Sequence, residues 1–209
     1  MKKIITLLTA LFICYLAQSQ TQTPWEKYQR DRIALANKGI NRKPTPQDYN
    51  QRGSAKSQLQ DYRGAIADFS IALKFELDKD FLEWIDILYH NRAQCLTKIE
   101  DYRGAIADCN LSLEFLGYLD KKFEFLRAGR IGENYWLRGY CKFHLKDYRG
   151  AILDYSRAIE VRPKHAESYY GRGMAEIFLG QKDSGCLDFS KAGELGDADA
   201  YEAIKEFCN

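Results

Sequence analysis

The sequence predicts an all-α fold: four helix–turn–helix units stacked side by side, with one further helix at each end. Three observations predict it. The decapeptide DYRGAIADFS at Asp61 returns as DYRGAIADCN at Asp101 and DYRGAILDYS at Asp147, and in weaker form as QKDSGCLDFS at Gln181. A second matched segment precedes each copy: YNQRGSAKSQLQ from Tyr49, YHNRAQCLTKIE from Tyr89, YWLRGYCKFHLK from Tyr135 and YYGRGMAEIFLG from Tyr169. Apolar residues recur at three- and four-residue steps, as Ala65, Ile66, Phe69, Ala72 and Leu73 do, and no two-residue alternation is sustained. A catalytic motif is rarely needed several times over. A unit that buries its apolar face only against copies of itself must repeat.

The N-terminus reads MKKIITLLTALFICYLAQSQTQTP. Basic Lys2 and Lys3, the apolar run from Ile4 to Ala17, and small Ala17 and Ser19 at the −3 and −1 places give a secretory signal peptide over residues 1–19, cut before Gln20. The run is roughly 14 residues, short of the ~20 that a membrane-crossing helix needs. Lipid anchoring at Cys14 is disfavoured, because bulky Phe12 and Ile13 stand where a lipobox has small residues. The expected product is exported, periplasmic or secreted, with no transmembrane segment after cleavage. Loss of Lys2 and Lys3 takes Lys+Arg from 31 to 29, against 29 Asp+Glu. A formally neutral chain has no global pull toward nucleic acid or an anionic membrane.

Residues 20–44 read as an N-terminal helix and linker. Thr23 and Thr45 are N-caps, Pro24 and Pro46 sit in the first turn, and Glu26 and Asp48 stand three residues after the cap. The first helix is expected to stop near Lys38–Gly39. Four repeats fill residues 45–195, at about 45–78, 85–118, 131–164 and 165–197. The copies are 40, 46 and 34 residues apart. The extra residues DKDFLEWIDIL and GYLDKKFEFLRAGRIGEN read as lengthened helices. Each first segment carries a small residue in mid-helix, Gly53, Ala93, Gly139 or Gly173, which points to close helix contact with Ala65, Ala105 and Ala151 opposite. Residues 198–209 form a capping helix, with Ala200, Ala203, Ile204 and Phe207 on one face.

On these residues the chain resembles the tetratricopeptide repeat family. The resemblance rests on the mid-helix Gly, the Asp–Tyr turn, the Ala of the GAI triplet, the aromatic at Phe69, Tyr155 and Phe189, the Ala at Ala72, Ala158 and Ala192, and Pro163. It covers about residues 45 to 195. Unit two departs from it, with Cys109 for the aromatic and Ser112 for the Ala, and units one and two lack the closing Pro. The resemblance implies a right-handed α-α superhelix whose first helices line a concave groove for a peptide or partner protein. The groove residues carried over are Asn50, Gln51, Ser54 and Gln58 in unit one, and His90, Asn91, Gln94 and Lys98 in unit two. Unit three supplies Trp136, Tyr140, Phe143 and His144, and unit four Tyr170, Met174, Ile177 and Phe178. The first half is polar and the second aromatic, so amides can bond a peptide backbone while rings anchor its apolar side chains. The rings can equally pack as core against the lengthened helices or the C-terminal helix. Of the family's carboxylate-clamping pattern, only Asn50 and Lys98 come close.

A further departure concerns charge. An Arg precedes the small residue in every unit (Arg52, Arg92, Arg138, Arg172), and an Asp recurs in every second helix (Asp68, Asp108, Asp154, Asp188). The joint replacement points to four Arg–Asp pairs clamping helices together. The alternative is a row of arginines that captures an acidic ligand.

The sequence has no phosphate loop, no H-E-x-x-H, no G-x-S-x-G and no dinucleotide fingerprint. The expectation is a non-enzymatic chain that needs no cofactor or metal. Five cysteines follow the signal peptide, with no C-x-x-C pair. Cys186 in the last second helix and Cys208 in the cap are a candidate disulfide, able to stabilise the cap by roughly 3 kcal/mol in the loop-entropy estimate. Cys95 and Cys141 hold small-residue places and read as buried packing thiols. The function expected is a scaffold or adaptor that binds a protein or peptide in the bacterial envelope. The alternatives are self-association through the aromatic half, or an accessory role beside an envelope enzyme.

Overall fold

The computed structural model describes residues 23–75, 82–118 and 124–208. The expected signal peptide, Cys14 and the Ser19–Gln20 junction lie outside these residues. Ten helices follow one another among the described residues: α1 (Pro24–Arg42), α2 (Pro46–Gln58), α3 (Tyr62–Ala72), α4 (Leu82–Lys98), α5 (Tyr102–Tyr118), α6 (Glu124–His144), α7 (Tyr148–Val161), α8 (Ala166–Phe178), α9 (Lys182–Glu194) and α10 (Asp199–Phe207). Each packs on its neighbours in sequence, giving the pairs α2/α3, α4/α5, α6/α7 and α8/α9 between α1 and α10. First helices also touch across units: α2 meets α4, α4 meets α6, and α6 meets α8. The result is an all-α solenoid with its first helices along one face.

Thr23 and Thr45 cap α1 and α2 in reciprocal boxes with Glu26 and Asp48, and proline opens both helices. α1 does not stop near Lys38–Gly39 but continues to Arg42. Gly39 is a packing glycine: the Asp48 carboxylate occupies the space a side chain would need.

The repeated decapeptide is a turn written in side chains. Asp61, Asp101 and Asp147 accept from the N–H of Gly64, Gly104 and Gly150 at 2.9, 2.9 and 3.0 Å. A Cβ at any of these glycines would strike that carboxylate, so the Asp and the Gly are a matched pair. The residue before each cap closes the first helix in the left-handed region: Gln60, Glu100, Lys146 and Gly180 have φ of 63, 62, 63 and 76°. In unit four the device is altered, since Gln181 makes no side-chain cap and glycine moves to the left-handed site.

The mid-helix glycines pack against the aromatic residue of the second helix. A Cβ at Gly53 or Gly139 would meet first the ring of Phe69 at 2.9 Å or Tyr155 at 3.1 Å. Gly173 meets both the Phe189 ring and the Gly185 carbonyl, each at 2.9 Å. Unit two changes both sides of the contact. Cys109 removes the ring and Ala93 adds a methyl, and both are fully buried. Ser112, the other departure in that unit, is buried and donates to the Asp86 carbonyl at 2.9 Å. Asp86 in turn grips Arg130 Nη1 with both oxygens, at 2.9 and 2.8 Å. This ion pair ties the extended beginnings of α4 and α6 together.

Candidate functional site

The four recurring arginines share one arrangement. Each guanidinium forks onto its own Asp through Nε and Nη2: Arg52 on Asp68 at 2.9 and 2.6 Å, Arg92 on Asp108 at 2.7 and 2.7 Å, Arg138 on Asp154 at 2.8 and 2.6 Å, and Arg172 on Asp188 at 2.6 and 2.8 Å. Each also lies over the tyrosine three residues earlier, Tyr49, Tyr89, Tyr135 or Tyr169, at 5.2 to 5.7 Å from the ring centroid. The remaining Nη1 reaches back one unit, to Asn37 (2.8 Å), Ser70 (2.9 Å), Asn110 (2.6 Å) and Ser156 (3.0 Å). The guanidinium groups are therefore spent on internal contacts, which disfavours a row that captures an acidic ligand. Lys56 and Lys142 add a second cation to Asp68 and Asp154, at 2.9 and 2.7 Å.

The polar half of the groove is a hollow of about 500 Å³ lined by Gln58, Gln94, Thr97 and Lys98, with Trp136 and Tyr140 at its far wall. Asn50 and Asn91 are turned toward one another, Nδ2 of Asn91 donating to Oδ1 of Asn50 at 3.5 Å. His90 is engaged on both ring nitrogens, by Asn134 Oδ1 and Gln94 Nε2, each at 3.1 Å. Burial pushes its pKa down, only partly opposed by the Asn134 bond, so the ring is neutral at pH 7. Exposed Gln51 and half-buried Ser54 line neither this hollow nor the next.

The aromatic half encloses about 270 Å³ between Trp136, Tyr140, Phe143 and His144 of α6 and Tyr170 and Met174 of α8, with Tyr155 beneath. The rings form a connected series. Trp136 and Tyr140 are 6.1 Å apart, Tyr140 and His144 4.4 Å, and His144 stacks flat on Tyr102 at 4.8 Å. Phe143 faces a second cluster, with Tyr148 at 5.4 Å and Phe178 at 5.5 Å. Phe178 is exposed and stacks on Tyr148 at 5.1 Å, and Ile177 lies half-buried against Gly185. Burial lowers the His144 pKa and raises those of Tyr140 and Tyr170, so all three are neutral at pH 7.

Sequence reasoning missed the tyrosines of the Asp–Tyr turns. Tyr62 lines the polar hollow, Tyr102 stacks on His144, and Tyr148 stacks on Phe178. Their recurrence after each capping Asp was the available signal. The acidic rim of Glu167, Asp197 and Asp199 was also missed, since Asp197 ends the last repeat and Asp199 begins the cap.

Cys186 and Cys208 are joined in a disulfide. Cys95, Cys109 and Cys141 are free and buried, and burial pushes the Cys141 thiol up to about 12. Among the described residues, no three His, Cys, Asp or Glu side chains stand together as a metal site, and no helix is long and apolar enough to cross a membrane.

Residues 132–165 match the family model of the tetratricopeptide repeat. No curated protein matches the sequence. Among solved structures, MamA is 15% identical, with 87% of this chain and 99% of that chain covered and a TM-score of 0.67. YrrB, a TPR protein with an unusual peptide-binding site, is 17% identical, with 86% and 84% covered and a TM-score of 0.68. The first TPR of Spaghetti (RPAP3), bound to the HSP90 peptide SRMEEVD, is 20% identical, with 65% and 94% covered and a TM-score of 0.54. At these identities the likeness is one of fold, and that fold is the tetratricopeptide superhelical solenoid.

Proposed function

For a tetratricopeptide solenoid with an open aromatic hollow, we propose the role of a non-catalytic adaptor that holds an extended peptide segment of a partner protein along its first helices. The observation that carries this reading is the run of rings from Trp136 to His144. Tyr140 remains 36% exposed although Trp136 and His144 flank it. A ring that served only as core would be covered. Amide and hydroxyl groups from Gln58, Gln94 and Thr97 continue the surface toward the N-terminal units, where a peptide backbone finds donors and acceptors. We place this adaptor in the bacterial envelope. The layout of residues 1–19 supports export, and the Cys186–Cys208 disulfide suits an oxidising compartment.

The test is crosslinked capture from the envelope fraction, with the wild type beside Trp136→Ala/Tyr140→Ala. A partner held by the first and lost by the second supports the groove. Identical captures return the rings to a packing role.

Self-association is a second reading, favoured by Trp25, Tyr28 and Leu35, which lie 54, 55 and 65% exposed along one face of α1. Sedimentation that shifts with concentration and is lost on Trp25→Ala/Leu35→Ala would support it.

A further inference from the structure

The aromatic hollow carries a charge that its rings do not explain. Trp136, Tyr140 and Tyr170 wall it, and Tyr155 forms its floor. The floor is reachable because position 171 is glycine, where a Cβ would meet Tyr155 Cζ at 2.5 Å. The rim consists of Glu167, Asp197 and Asp199, and no lysine or arginine lines it.

These carboxylates lack a strong cation partner among the described residues. Glu167 stands 3.4 Å from His165, whose pKa is pushed down by burial and then by Arg162, so the contact is with a neutral ring at pH 7. Asp197 uses Oδ1 to accept from the N–H groups of Asp199 and Ala200 at the start of α10, at 3.0 and 3.3 Å. Arg162 and Lys164 line the adjoining hollow, but Arg162 is engaged by Glu133. Ring faces carry negative potential, and carboxylates at their edge add to it. An apolar occupant would strip water from the rim and return nothing. A cation with an apolar stem satisfies both halves.

We propose that this hollow is the specificity pocket of the groove and takes an arginine or lysine side chain of the partner peptide. Its stem lies against Trp136 and Tyr140, and its head stands among Glu167, Asp197 and Asp199. The inference rests on the groove reading.

A phage-displayed library of random dodecapeptides, selected on the purified wild type and two double variants, tests it. The variants are Trp136→Ala/Tyr140→Ala and Glu167→Lys/Asp199→Lys, with circular dichroism to show that both fold. Asp197 is left alone because it caps α10. Wild-type peptides are expected to be enriched in Arg or Lys beside an apolar residue. A synthetic copy with that basic residue changed to Gln should bind about tenfold more weakly, with the difference shrinking at high salt. The Lys variant should select acidic residues at the same place. Two results would overturn the cation assignment while sparing the groove: selected peptides that need Trp136 and Tyr140 yet carry no basic residue, or the same basic peptides recovered on the Lys variant. Failure to select any peptide, or peptides indifferent to Trp136 and Tyr140, would remove the groove reading and this one together.

Discussion

Arg92 donates through Nη1 to Ser70 Oγ at 2.9 Å, across the boundary between the first and second units. The same guanidinium holds Asp108 inside its own unit. One side chain therefore makes both the internal clamp of a unit and its joint to the unit before. Ser70→Ala should remove only the joint and cost about 1 kcal/mol, as for one lost hydrogen bond. Asp108→Ala should cost ~3–5 kcal/mol, because it leaves the guanidinium without its carboxylate. Urea unfolding of both variants measures the two separately. Equal losses would mean that the clamp and the joint are not separable.

The Gly53–Phe69 contact can be tested by borrowing the solution of unit two. Gly53→Ala places a methyl against a ring at 2.9 Å and should destabilise by ~1–3 kcal/mol. Gly53→Ala combined with Phe69→Cys recreates the Ala93–Cys109 pair. The cycle should show a favourable coupling of about 1 kcal/mol. Strictly additive losses would mean that the two positions do not read one another.

Lys146 closes α6 at φ 63°, a conformation in which a Cβ costs roughly 1 kcal/mol. Lys146→Gly should therefore stabilise the fold by up to about 1 kcal/mol. Gly180→Ala, at φ 76°, should destabilise it by a similar amount. Thermal melts of the two variants should move in opposite directions.

Burial raises the Asp86 carboxyl to about 6, against the pull of Arg130 in the other direction. The folded chain thus holds this proton more tightly than the unfolded chain does. The stability that Asp86 contributes is full below the ordinary carboxylate range and is lost as pH rises through 6. Between pH 4 and 6, the wild type should lose about 2 kcal/mol relative to Asp86→Asn. Urea midpoints at the two pH values give the difference, and parallel behaviour of the two proteins would contradict it.

The repeated features were legible because both halves of each contact recur. Arg52 and Asp68 return together in three further units, so pairing could be read from the sequence. The Nη1 acceptors also recur at one position, but as Ser70, Asn110 and Ser156, and they belong to the unit before. Their role depends on how units stack, which no single unit encodes. Asp86, Arg130, Asn134 and His90 form contacts that occur once, in helices lengthened beyond the repeat, so no period announces them. In the groove, the resemblance to the tetratricopeptide repeat pointed to the face holding Trp136, Tyr140, Tyr170 and Met174. It did not foresee that the rim beside them would come from the turn into α10, since Asp197 and Asp199 are brought there by the fold of the cap.

The two ends of the stack are sealed by different chemistry. At the front, Asn37 of α1 serves Arg52 as Ser70 serves Arg92. At the back, Ser190 is the next residue in that series, and it donates within its own helix to the Cys186 carbonyl. Closure there is shared by the Tyr201 hydroxyl, which donates to the Gly193 carbonyl at 3.2 Å, by Phe207 beside Phe189, and by the bond between Cys186 and Cys208. A thiol reductant thus acts on one end of the molecule and leaves the other untouched. Fraying should then start at α10 and travel toward α1, so that the aromatic hollow, with its rim on the cap, loosens before the polar half does.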